Sequence, residues 1–215
     1  MQADSGDRHG RILDAAERSF TQAGFHRTTV QDVAREAGMS PGNLYRYFPS
    51  KDAIVAGLVE RDRMMLREDF ESFAQTERLD LVLQALAHKH FDEAPRAKAV
   101  LCVQIWAEAT VNPAIAEAHM TLENDLVHGI ERLIAAGQER GEVAAGVDPS
   151  ATAQLIMTMS SGLFVRRALF PDFDPGSEIQ TLLNVIRGVL RGDTLRGVAP
   201  HCSPRDIFMA TETHR

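Results

Sequence analysis

Residues 28–51 read TTVQDVAREAGMSPGNLYRYFPSK, and this stretch decides the fold. It spells two short helices joined by a sharp turn. Thr28 and Gln31 fit a capping box at the start of the first helix, each side chain satisfying an orphan backbone N–H. Val30, Val33, Ala34 and Ala37 then follow helical spacing. Gly38 stands where that helix must end in a left-handed residue, a conformation in which glycine costs least. Ser40 serves as an N-cap, and Pro41 takes the first helical position, where its missing N–H does no harm. The second helix, over about 41–47, turns Leu44 and Phe48 inward and leaves Asn43, Tyr45, Arg46 and Tyr47 largely outward.

A short helix with so many outward polar and aromatic groups is a poor core element and a good reading head. A helix-turn-helix sets its second helix in the major groove of DNA while the first crosses the backbone. Small Ala34 lets the two helices approach closely. The alternative is a helical hairpin whose aromatics pack internally. The caps, the turn glycine and the outward face together favour DNA.

The composition is compatible. A chain of 215 residues with 44% hydrophobic content can bury a core, as one good-sized domain or a small one plus a larger one. No apolar run approaches the ~18–20 residues of a membrane span. The opening MQADSGDRHG has no signal-peptide character, so the expected location is the cytoplasm. Cys102 and Cys202 form neither a disulfide framework nor a zinc pattern. The formal net charge of -7 is unusual for a DNA binder, but it is unevenly spread. Residues 1–52 carry seven basic and seven acidic side chains, whereas the remainder carries 16 and 23. An acidic body repels DNA and leaves the neutral head to make the contacts.

Outside the motif the pattern is helical throughout. Residues 1–7 lack apolar periodicity and read as a tail. Ile12, Ala16, Phe20 and Ala23 mark a first helix closed by Gly24. Ser50 caps a fourth helix reaching about Phe73. Further helices span about 79–93 and 96–110. Asn112-Pro113, Asp148-Pro149 and Asp174-Pro175 each fit an N-cap followed by proline and start three more. The expected fold is all-α, with about nine helices. Residues 1–52 form the helix-turn-helix domain, 53–192 a helical effector-binding and dimerisation domain, and 193–215 a loose tail.

The helix after Pro149 is apolar almost all round and the last has a broad apolar face, more than a monomer exposes to water. Leu155, Met159, Leu163, Leu182, Leu183, Ile186 and Leu190 are therefore expected to pair with their symmetry mates in a homodimer.

AGMSPGNLYRYFPSK resembles the recognition segment of the TetR-type (tetracycline-repressor-like) transcriptional regulators. So do ILDAAERSFTQAGFHRTTVQDVA before it and KDAIVAGLVE after it, the detailed match covering about Arg11 to Glu60. The resemblance implies a homodimer with an N-terminal domain for double-stranded operator DNA and a C-terminal effector domain. By the same resemblance Tyr45 and Lys51 correspond to backbone-phosphate contacts, and Pro41, Gly42, Asn43 and Tyr47 fall where relatives touch base edges. Ser40 joins this set. Arg46 fits guanine or a phosphate, and Asn43 fits adenine. Thr28 and Thr29 open the first motif helix, where hydroxyl and N–H groups serve capping, phosphate or both.

The effector pocket implied by the resemblance lies inside the C-terminal helices. Candidate lining residues are Phe91, Leu101, Cys102, Ile105, Trp106, Met120, Met157 and Phe164, a largely apolar set. His90, Glu108, Asn124 and His128 are polar groups that could orient a ligand. Both tyrosines stand in the reading head, so a cage for a cation would use Trp106 and phenylalanines. His119 and Glu123 are four apart, but two ligands without a third make no metal site. No catalytic or cofactor motif (GxSxG, HExxH, P-loop or GxGxxG) is present, so neither enzyme activity nor a cofactor is expected. Two functions stay open: a repressor released from a palindromic operator by a small molecule, and a DNA-binding dimer whose body serves protein interaction or DNA architecture. An enclosed apolar cavity in the body favours the first and a solid core the second.

Overall fold

The computed structural model describes residues 3–73 and 78–193. Regular structure among the described residues consists of nine α-helices, with no strand. They are α1 (Ala3–Ala23), α2 (Val30–Glu36), α3 (Pro41–Leu44), α4 (Lys51–Phe73), α5 (Leu79–Ala87), α6 (Arg96–Ala109), α7 (Pro113–Glu139), α8 (Pro149–Leu169) and α9 (Pro175–Leu190). A single π-helical turn, His88–Asp92, prolongs α5. Helix α1 begins at Ala3, so most of the expected N-terminal tail is helical. Periodicity marks only turns with an apolar pattern, and residues 1–7 carry none. The expected tail beyond residue 193 lies outside the described residues.

Local chemistry sets the boundaries. Asn112 accepts from the backbone N–H of Ala114 at 3.2 Å, Asp148 from Ser150 at 2.9 Å and Asp174 from Gly176 at 3.2 Å, each with proline following. One cap differs from expectation. The box at the start of α2 is Thr29 with Asp32, not Thr28 with Gln31: Thr29 Oγ1 accepts from Asp32 N at 3.2 Å and Asp32 Oδ2 accepts from Thr29 N at 2.9 Å. A carboxylate takes the role of the longer amide one residue later. Gly38 sits at φ +67° after α2, where a side chain would be strained. Helix α3 is a single turn followed by a turn through Tyr47, shorter than the expected second helix.

Two apolar cores hold the helices together. The first joins Ile12, Ala16, Phe20, Val33, Leu44, Phe48, Ile54 and Leu58 of the N-terminal helices to Leu101 and Ile105 of α6 and Ile115 of α7. Phe20 and Leu44 are almost wholly buried, each contributing about 1.5–3 kcal/mol. The second joins Phe70 and Phe91 to Ile130, Ile134, Ile156, Leu163, Leu183 and Ile186. Helix α7 packs along α4, and Gly129 permits the close approach: a Cβ there would lie 2.9 Å from the Phe70 ring. Arg63 of α4 adds an ion pair to Asp125 of α7 at 2.7 Å.

Candidate reading head and ligand cavity

The reading surface is built by burying one side of a single helical turn. Leu44 and Phe48 go into the core, which directs the rest of the segment outward. Pro41, Gly42, Tyr45 and Arg46 are exposed, and Asn43 and Tyr47 are half-buried. Ser40 Oγ fixes the start of α3 by accepting from Asn43 N at 3.3 Å. Tyr47 packs its ring edge-on to His9, 5.2 Å between centroids.

Thr28 corrects its sequence assignment. It is buried, its hydroxyl donates to Gly24 O at 2.9 Å, and its N–H donates to the same oxygen at 3.2 Å. Neither group is left for a phosphate, because Thr28 closes the α1–α2 turn from inside. Thr29 is exposed, but its hydroxyl donates to Asp32 Oδ2 at 2.6 Å. Those hydrogen bonds from Thr29 hold the Asp32 carboxyl below its usual pKa.

Lys51 opens α4 and folds onto the head. Its amine donates to the Phe25 carbonyl and lies 4.1 Å from the Phe25 ring centroid. Partial burial lowers its pKa. The Phe25 N–H in turn donates to Gln104 Oε1 of α6 at 3.1 Å. A polar relay thus runs from α6 through Phe25 to Lys51.

Between α4 and the C-terminal helices lies a cavity of about 600 Å³. Five predicted residues line it: Phe91, Cys102, Trp106, Met157 and Phe164. An aromatic ladder forms one wall, with ring centroids 4.5 Å apart for Phe91–Phe164, 5.7 Å for Phe164–Trp106 and 6.0 Å for Trp106–His119. Leu101, Ile105 and Met120 are corrections. Leu101 and Ile105 sit one residue before Cys102 and Trp106, on the α6 face that packs into the first core. Met120 is 58% exposed on α7, the residue after the cavity-lining His119. Of the polar candidates only His90 lines the cavity; Glu108, Asn124 and His128 do not.

The charged end of the cavity was missed. Lys98 lies between Glu17 of α1 and Asp62 of α4, 2.9 Å from an oxygen of each. Burial disfavours its charge, but those two carboxylates outweigh it and raise its pKa. Glu17 is likewise opposed by burial, yet Lys98 and Arg61 hold its pKa down. Arg61 also pairs with Asp14 at 2.9 Å, while its Nε is buried without a partner. The signal existed in the sequence: Lys98 shares an i, i+4, i+8 row of α6 with Cys102 and Trp106.

The expected dimer residues also need correction. Leu163, Leu182, Leu183, Ile186 and Leu190 are buried inside their own chain, and Leu182, Leu183 and Ile186 line the cavity. Met159 is half-buried. The large apolar side chains that α8 and α9 expose are Leu155 at 39%, Leu169 at 64% and Val185 at 40%. The apolar breadth of α9 serves the cavity, which the sequence could not distinguish from an interface.

The family model for bacterial regulatory proteins of the tetR family matches residues 12–58, and that for the C-terminal part of BetI-type transcriptional repressors matches residues 75–191. The chain belongs to the tetR family. It is a ligand-responsive DNA-binding transcriptional regulator. The regulator UidR of Escherichia coli K12 is 25% identical over 167 residues, covering 76% of this chain and 83% of that protein. The solved structure of Salmonella enterica GusR is 26% identical, with a TM-score of 0.69 over 86% of this chain and 96% of that one. Two more distant structures share the fold. A Saccharomonospora viridis regulator in complex with choline is 22% identical, covering 84% of this chain and 96% of that one (TM-score 0.73). Bacillus subtilis FadR in complex with stearoyl-CoA is 19% identical, covering 83% and 97% (TM-score 0.72). Among the described residues no single helix is long and apolar enough to cross a membrane.

Proposed function

We propose that this regulator represses transcription as a homodimer on a roughly palindromic operator and leaves it when a largely apolar small molecule enters the cavity. The cavity of about 600 Å³ carries this reading, because a body serving only as an architectural or protein-docking block has no use for it. Residues 1–52 act as the reading head, with Thr29, Ser40, Pro41, Gly42, Asn43, Tyr45, Arg46 and Tyr47 facing DNA. Lys51 reaches a phosphate by leaving the Phe25 carbonyl. Residues 53–192 bind ligand and dimerise, through Leu155, Met159 and Val185 rather than through the buried leucines of α9. The protein works in the cytoplasm and performs no catalysis.

Release follows if the ligand binds best to a conformation whose two heads no longer match the half-sites, ~34–36 Å apart or a multiple of that. The test is linkage. An operator obtained by binding-site selection is added to a titration of a compound that releases it, followed by Trp106 fluorescence. Operator should weaken the compound by the same ~5–150-fold that the compound weakens operator. Equal affinities with and without operator overturn the reading.

A further inference from the structure

One ring of the reading surface is supported from outside the helix-turn-helix. Tyr47 and Phe48 are consecutive residues at the end of the turn that follows α3, yet they have different fates. Phe48 is buried and anchors the segment in the first core. Tyr47 is only half-buried, at the edge of that core. Both meet the same side chain. The imidazole of His9 in α1 lies 5.2 Å from the Tyr47 ring at 81° and 5.1 Å from the Phe48 ring at 62°, centroid to centroid. Both contacts are edge-to-face, a favoured geometry for aromatic pairs.

Phe48 is itself pinned. It lies so close to Gly57 of α4 that a Cβ there would stand 2.8 Å from its ring and 3.1 Å from Leu13 of α1. His9 therefore leans on a ring that cannot yield and braces one that can. Tyr47 needs the brace, because a half-buried ring lacks the complete packing that fixes a core rotamer. A ring already set before DNA arrives avoids the ordering cost of immobilising it at contact. His9 is exposed, so core packing does not account for it.

Resting on the assignment of Tyr47 to the DNA-facing set above, we infer that His9 is a positioning residue for operator recognition, a bracket that rests on Phe48 and holds the Tyr47 ring ready for DNA. The recognition surface thus draws on α1 as well as on the helix-turn-helix.

The test is a double-mutant cycle on the full chain, read by fluorescence anisotropy with an operator from binding-site selection and with a random duplex. His9→Gln should weaken the operator about 2–10-fold, the worth of one edge-to-face pair, and leave the random duplex unchanged. Tyr47→Ala should weaken the operator at least as much. In the Tyr47→Ala background His9→Gln should have no further effect. His9→Phe, which keeps an aromatic edge, should restore operator binding to within twofold of wild type. The urea midpoint of His9→Gln should match wild type, because the side chain is exposed. A His9→Gln loss as large without Tyr47 as with it, or equal for operator and random duplex, makes His9 a direct contact and overturns the inference. So does a loss that phenylalanine does not rescue, or a lowered urea midpoint. Operator binding weakened by Tyr47→Ala but untouched by His9→Gln overturns the inference alone. Operator binding untouched by Tyr47→Ala removes Tyr47 from the DNA-facing set and overturns both.

Discussion

Lys98→Met removes the cation that joins three helices, and its cost follows from the geometry. In the native chain the Lys98 amine stands 2.9 Å from Glu17 of α1 and from Asp62 of α4. The side chains of Lys98, Glu17 and Asp62 are 21%, 28% and 26% exposed, so the site is neither dry nor fully screened. Breaking a fully buried pair costs about 3–5 kcal/mol and an exposed one under about 1 kcal/mol, so this partly wet triad should cost about 1–3 kcal/mol. Arg61 still holds Glu17 in the variant, and the loss falls mainly on Asp62. The pH dependence has a definite sign. The raised pKa of Lys98 makes its contribution fully present below the ordinary lysine value of 10.5 and lost as pH climbs through the folded value. The lowered pKa of Glu17 makes its contribution present above the ordinary value of 4.5 and lost as pH falls through the folded value. The difference between wild type and Lys98→Met should therefore be widest between these limits and shrink on either side. Urea unfolding at fixed protein concentration, at pH 7 and pH 4, measures it. A difference under about 0.5 kcal/mol at pH 7, within the range of ordinary surface changes, refutes the structural role.

Three further outcomes are expected. Gly129→Ala places a methyl 2.9 Å from the Phe70 ring, so overpacking should cost about 1–3 kcal/mol in urea; an unchanged midpoint would mean that α4 and α7 are less tightly joined than described. Leu155→Glu combined with Val185→Glu should give a folded monomer with weak operator binding, whereas Leu183→Glu should unfold the body; sedimentation with an intact dimer for the first pair places the interface elsewhere. Burial pushes the Cys102 thiol up to about 11, so in a Cys202→Ser background it should react with a disulfide reagent at pH 8 about a hundredfold slower than an ordinary thiol; a normal rate would mean that the cavity wall opens readily.

The sequence was most legible where chemistry is local. Asparagine or aspartate before proline fixes a helix start through its own side chain, and the starts at Pro113, Pro149 and Pro175 stand where expected. The reading head was legible for the same reason, since Leu44 and Phe48 bury one side of a segment of fixed geometry. Thr28 and Thr29 were confused because both are cap residues, and only the fold shows which hydroxyl meets Asp32 and which turns inward. Buried apolar helices were harder. Periodicity separates buried from exposed, but cavity wall, solid core and dimer face are all apolar. Leu101 and Cys102 are adjacent in sequence, yet Leu101 packs into the first core and Cys102 lines the cavity; Leu183 and Ile186 line the same cavity rather than face a partner. The charged end of the cavity draws Glu17, Asp62 and Lys98 from three helices, a convergence that no single spacing encodes.

That convergence bears on how the proposed ligand signal could travel. Helix α6 presents Cys102 and Trp106 to the cavity and Leu101 and Ile105 to the core shared with the reading head. It also sends Gln104 to Phe25, whose carbonyl holds Lys51. Lys98 at the same helix's other end grips α1 and α4. A ligand that displaces α6 therefore cannot leave the head where it was without repacking a core that is closely filled. Moving head and helix together is the cheaper course, because packed interfaces shift between discrete arrangements rather than deform continuously. The ligand need supply only the difference in its affinity for the two arrangements, and about 1–3 kcal/mol suffices for a ~5–150-fold change in operator binding.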